Sequence, residues 1–192
     1  MKSVVALIAT MFLVLGVGCG SDADDSRESM NNPSGTFSLR SNNFIPEQGS
    51  PQLSWSNAPV GTKSFAIVID DHSADNWSHW SLFNINSSLN TIDSQNTPVG
   101  SIVATNQIGA MGYAVPERRD TNIYVAHIYA LSISDVTHIE GKSIDNIVNK
   151  VYNHEEFEND FGFYILGEAE IASTPLAPAV TQSEQEQAIV ED

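Results

Sequence analysis

Phe65-Ala66-Ile67-Val68-Ile69 is the stretch that most limits what this chain can become. Five apolar residues, three of them β-branched, are too few for an ordinary helix and carry no polar face. Such a run is a strand buried on both sides, so material must pack against each face of its sheet. It ends in Asp70-Asp71-His72, crosses a polar loop and turns apolar again at Trp77-Ser78-His79-Trp80. Two acids, two histidines and two tryptophans therefore meet at one strand–loop–strand corner. Polar groups at strand ends beside bulky aromatics are how a β scaffold builds a small pocket. This corner is the candidate site.

The rest of the chain is mainly β in pattern. Thr36–Arg40 and Gln52–Ser56 are short alternating runs, and Asn57-Ala58-Pro59-Val60-Gly61-Thr62 is turn chemistry before the central strand. Trp77–Ile85 reads as a second long strand, with a short one at Ser101–Ala104. Ile123–Ile133 alternates cleanly, with Ile123, Val125, His127, Tyr129, Leu131 and Ile133 on one face. Both of its faces are largely apolar, which marks another interior strand. Ser143 is a good helix cap, and Ile144, Ile147, Val148 and Val151 share one helical face behind it. After Asn153-His154-Glu155-Glu156 a period of two returns, with Phe161, Phe163, Ile165 and Ala169 pointing one way and Glu168 and Glu170 the other. The expected fold is a two-sheet β-sandwich with one or two late helices.

The ends bear on compartment. Met1-Lys2, the apolar run Val4–Val17 and the small residues before Cys19 make a secretory signal, too short to span a membrane comfortably. Cys19, the only cysteine, stands at the cut, as in the lipobox of bacterial lipoproteins, with Gly16 where a large aliphatic is usual. Residues 1–18 are thus read as a lipoprotein signal and 19–35 as a flexible acidic tether. The folded domain covers 36–172, and 173–192 is a disordered acidic tail, a short helix over its last turns being the alternative. The expected location is the bacterial cell envelope, lipid-anchored at Cys19 in the outer membrane or facing the periplasm. Without lipidation the chain is secreted. A net charge of −16, from 24 acids against 8 bases, excludes nucleic acid as a partner and makes any anion site a local construction.

Ser50-Pro51-Gln52-Leu53-Ser54-Trp55, Pro59, Gly61-Thr62-Lys63-Ser64, Asp70-Asp71, Trp77/His79/Trp80, Gly112-Tyr113 and Tyr124-Val125 follow one another in an order that resembles the phosphatidylethanolamine-binding protein family, closest to its bacterial Raf-kinase-inhibitor-like branch. The likeness extends through Tyr129-Ala130-Leu131 to the strand after Gly167. It implies a two-sheet β-sandwich of that type, with a pocket at one end for phosphate or a phospholipid headgroup. Carried over by position, Asp71 matches the first Asp of the family's D-P-D, His79 the His of W-x-H-W and Tyr124 the Tyr of H-R-Y. Trp77 flanks His79. The chain departs from the family at His72-Ser73-Ala74-Asp75, which replaces Pro-Asp-Ala-Pro and removes a rigid loop and a second carboxylate. It departs again at Asn122-Ile123, which replaces His-Arg and leaves a hydrogen-bond donor without positive charge. The family's cysteine-containing loop is absent, with Glu47-Gln48-Gly49 in that region.

Other residues admit two readings. His79 is a pocket group or a satisfied core histidine. One of Asp70 and Asp71 is a turn residue, and position favours Asp71 on the ligand side. Arg118-Arg119, the only adjacent bases, either bring positive charge to the pocket mouth or form a solvated turn. His72 and Asp75 decorate a loop, His127 is structural, and His138 and His154 fall in loops. A metal set of Asp71, His72, Asp75 and His79 lacks diagnostic spacing, so no metal ligand or cofactor is assigned. No nucleophile motif accompanies the Asp–His pair, which points to binding and not to an enzyme. The expected partners are a small anion or phospholipid headgroup and the membrane through Cys19. The alternatives are a protein-interaction or inhibitor module acting on an envelope enzyme with a vestigial pocket, then a metal-binding module or a hydrolase.

Overall fold

In the computed structural model the described residues are 35–45, 49–93, 97–117 and 121–173. The signal segment, Cys19, most of the tether, Arg118, Arg119 and the tail beyond Ser173 lie outside them.

Among the described residues, eight strands form two antiparallel sheets. The smaller has the order β1 (Ser38–Asn43), β2 (Gln52–Ser56), β5 (Thr91–Ile92). The larger has the order β6 (Ile102–Val103), β4 (Trp77–Asn86), β3 (Ser64–Asp71), β7 (Tyr124–Leu131), β8 (Ile165–Ala172). β3 sits at its centre, and all eight residues of β3 and of β7 are buried. Their continuous apolar character has this cause: each strand is covered on both faces.

Strand alternation splits the core in two. Phe65, Ile67 and Ile69 face the smaller sheet, meeting Leu39, Leu53 and Trp55, with Ala126, Ile128 and Ala130 of β7 on the same side. Ala66 and Val68 face the opposite way, toward Tyr129, Tyr152, Phe157 and Phe161. Helices α1 (Ile144–Val148) and α2 (His154–Phe161) cover that second face. Ser143 caps α1 through a reciprocal pair with Asn146, as its position in the sequence indicated.

The segment after Asn153 differs from the alternating strand expected there. Asn153 Oδ1 accepts from Glu156 N at 2.9 Å, and Glu155 and Glu156 place negative charge in the first turn, so α2 begins here. Phe157 and Phe161, four residues apart, are both buried, whereas Phe163 lies in a 3₁₀ turn and is almost fully exposed. Period two starts only at Ile165. β1 likewise runs three residues past the expected Arg40. Ser173, expected in the tail, is pinned to β7: its N donates to Tyr124 O at 2.7 Å and its Oγ accepts from Tyr124 N at 2.9 Å.

Candidate functional site

The end of β3, the start of β4 and the start of β7 meet at one end of the larger sheet's three interior strands. Asp71 pairs with Trp77 on one side and Tyr124 on the other. Between Ile69↔Trp80 and Asp70↔Ser78 the register slips, leaving His79 as an extra residue in β4. Trp77 and His79, two apart in the strand, face one cavity of about 380 Å³, and the bulge keeps Trp80 on that same side, in the core beside Ile69. Asp71, Trp77, His79, Asn122 and Tyr124 all line it, together with Glu117, Ile108 and Val115.

His79 and Asp71 are each oriented by partners. His79 Nδ1 donates to Ala114 O at 2.7 Å, and Ala114 N donates to His79 O at 2.9 Å, so the ring is fixed and Nε2 is the nitrogen left for a ligand. The ring lies 4.5 Å from that of Trp77 and edge-on to Tyr124 at 5.1 Å. Burial among these aromatics lowers the His79 pKa, against the Ala114 hydrogen bond and the Asp71 and Asp70 charges, which raise it. Asp71 is buried, its Oδ1 accepting from Ser73 N at 2.9 Å and its Oδ2 from Asn122 Nδ2 at 2.6 Å.

The five described residues singled out for this site share one cavity, but Asn122 differs in what it does. The amide expected to face a ligand spends one donor on Asp71, and so positions that carboxylate. The loop that lacks the family's prolines is held by hydrogen bonds instead: Ser73 N to Asp71, Ile123 N to Ser73 Oγ at 2.9 Å, and His72 N to Ile123 O at 2.9 Å. Asp75 and Asn76, both at positive φ, turn the chain into β4.

The loop contributing Ile108 carried no motif in the sequence. Buried Asn106 organises it, with Oδ1 accepting from Ile108 N and Ala110 N, and Nδ2 donating to Gly112 O. An Asn opening a Gly-containing segment was the available signal. Ile108 and Val115 are exposed and give the cavity an apolar rim.

Three histidines expected in loops or in a purely structural role come together on the opposite face of the same sheet. Asp70, fully buried, points there. Its Oδ2 accepts from both the backbone N (2.9 Å) and the ring Nδ1 (2.7 Å) of His154, the first residue of α2. His72 Nε2 lies 3.0 Å and His127 Nε2 3.8 Å from its Oδ1. His127 is held from behind, with Nδ1 2.7 Å from Glu168 Oε1. The grouping of Asp71, His72, Asp75 and His79 weighed in the sequence does not form, because consecutive residues of β3 face opposite ways. His138 lies in a 3₁₀ turn after β7.

Comparison with known proteins agrees with this architecture. The family model for Phosphatidylethanolamine-binding protein matches residues 35–175. A UPF0098 protein of Methanothermobacter thermautotrophicus is 32% identical over 134 residues, covering 65% of this chain and 81% of that protein. The UPF0098 protein YbcL of Escherichia coli is 29% identical over 117 residues, covering 54% of this chain and 63% of YbcL. The crystal structure of YbcL, described as a new member of the mammalian PEBP family, matches with a TM-score of 0.53 at 22% identity, over 73% of this chain and 98% of the other. The two-sheet sandwich, the run of matched motifs and the corner they build have one source: the chain belongs to the phosphatidylethanolamine-binding protein family.

Proposed function

We propose that the chain is a binding protein of the bacterial cell envelope, anchored at Cys19, whose cavity takes a phosphate-bearing headgroup such as phosphoethanolamine. The observation that carries this reading is the pairing of His79 and Asp71 in one cavity of about 380 Å³. With Nδ1 committed to Ala114, a protonated His79 offers an Nε2–H to a phosphate oxygen. Asp71 and Glu117 oppose a simple anion and suit a ligand that also carries an ammonium group. Ile108 and Val115 at the rim suit the apolar continuation of a lipid.

Calorimetric titration of the purified protein with phosphoethanolamine and with phosphate tests it. Saturable binding that prefers phosphoethanolamine, and that falls at least tenfold in His79→Gln, is expected. Equal or absent heats in the wild-type and variant proteins would overturn the assignment. The anchor has its own test: Cys19→Ser moves the protein from the membrane to the soluble fraction, and unchanged membrane association would refute lipidation at Cys19.

A further inference from the structure

Asp70 Oδ1 and His127 Nε2 are enclosed, 3.8 Å apart, and neither makes a hydrogen bond. A buried carboxylate oxygen and a buried ring nitrogen left unpaired are costly, and such atoms ordinarily find a partner. Here the fold prevents them from serving each other. His127 Nδ1 is engaged by Glu168, so Nε2 is the ring nitrogen left facing Asp70 Oδ1. His72 Nε2, 3.0 Å from the same oxygen, also makes no hydrogen bond to it. The His154 ring closes the group, 5.0 Å from both the His72 and the His127 rings.

The ring nitrogens of His72 and His127 stand beside one buried carboxylate oxygen without hydrogen-bonding to it, with a third imidazole next to them, and a cation held among them would satisfy all of them. We infer that Asp70, His72, His127 and His154 form a binding site for a first-row divalent transition metal, with zinc the best match. One donor atom from each residue lies within 4.8 Å of the others. In a tetrahedral zinc site with ligands at about 2.0–2.1 Å, neighbouring donor atoms stand about 3.3 Å apart, between the 3.0 and 3.8 Å found around Asp70 Oδ1. Three imidazoles and one carboxylate select zinc, copper, nickel or iron over calcium or magnesium, which take oxygen. The supporting shell is present as well. Glu168 fixes the His127 tautomer, and the backbone N of His154 fixes Asp70 Oδ2. Binding releases to solvent any proton still carried by a coordinating ring nitrogen. His72, whose side chain is about one-third exposed, is the way in.

The site occupies the face of the sheet opposite the His79 cavity, so its test does not depend on headgroup binding. Full-length, untagged protein stripped with chelator is titrated with zinc chloride by calorimetry, and with cobalt(II) by visible absorption. One zinc per chain, a raised thermal midpoint and tetrahedral cobalt bands are expected. His72→Ala lies in a surface loop and leaves the core intact; it weakens zinc binding at least tenfold and removes the cobalt bands. Glu168→Gln, which keeps every ligand, weakens binding about 10–100-fold. No saturable phase in the wild-type protein overturns the site. So does a phase unchanged in His72→Ala, because the metal would then sit elsewhere.

Discussion

Asp70 and Asp71 are neighbours in one strand, yet their carboxylates serve opposite faces of a sheet. Asp71 is legible in the sequence because it sits in a run of motifs that ends at His79 and Tyr124. Asp70 is not, because its partners His72, His127 and His154 have no common spacing and meet only through strand pairing and the start of α2. His79 carries the clearest electrostatic signature of the cavity. Burial lowers its pKa below the ordinary 6.5, so the unfolded chain takes up a proton first as pH falls. The His79 contribution is therefore intact above about pH 6.5 and is lost as pH drops through that value toward the folded-state pKa. Denaturant melts of wild-type and His79→Gln proteins across this window check it. The variant is expected to lose less stability on acidification; a steeper acid loss in the variant would reverse the sign of the argument.

At the scale of elements, strands were easier to read than the second helix. β3 and β7 announce themselves through apolar runs, and α1 through Ser143; of its expected apolar stripe only Ile147 is buried, since Ile144 is exposed and Val151 lies past the helix end. α2 was hidden because His154-Glu155-Glu156 looks like a polar loop, and Phe161 and Phe163 imitate alternation across the helix end. Its capping Asn153 and the Phe157–Phe161 pair were the signals available. The helix earns its place through packing: the Phe157 ring stacks on Tyr129 at 4.4 Å and lies 5.6 Å from Phe83. Asp160 then ties it to the chain on either side of α1. Partial burial raises the Asp160 pKa, but hydrogen bonds and charges from Lys142 (2.6 Å) and Lys150 (3.0 Å) outweigh this and hold it below the usual carboxylate value. Phe157→Ala is expected to cost about 3–5 kcal/mol in urea denaturation. Because α2 also carries His154 to Asp70, the variant should weaken zinc binding too. A loss under about 1 kcal/mol would mean that the helix is not part of the core.

Across the whole molecule, one central strand organises both candidate sites: β3 buries each face and ends in two acids, and the strand pleat sends one to each side. The family and the sandwich were readable because ordered motifs span most of the domain. The cavity rim was not, since Ile108, Val115 and Glu117 come from loops whose path depends on buried Asn106 and on the Ala114–His79 pairing. The net charge of −16 makes the electrostatic question sharp, since a chain this acidic repels a free anion at long range and any anion recognition has to be local. The most direct measurement is an NMR pH titration of the His79 imidazole nitrogens, without ligand and with saturating phosphoethanolamine. The expected result is a pKa below 6.5 in the free protein that rises on ligand addition, with the Nε2 resonance shifting most and the Nδ1 proton still donated to Ala114 O. An unchanged titration and unmoved Nε2 resonance at millimolar ligand would contradict the headgroup site.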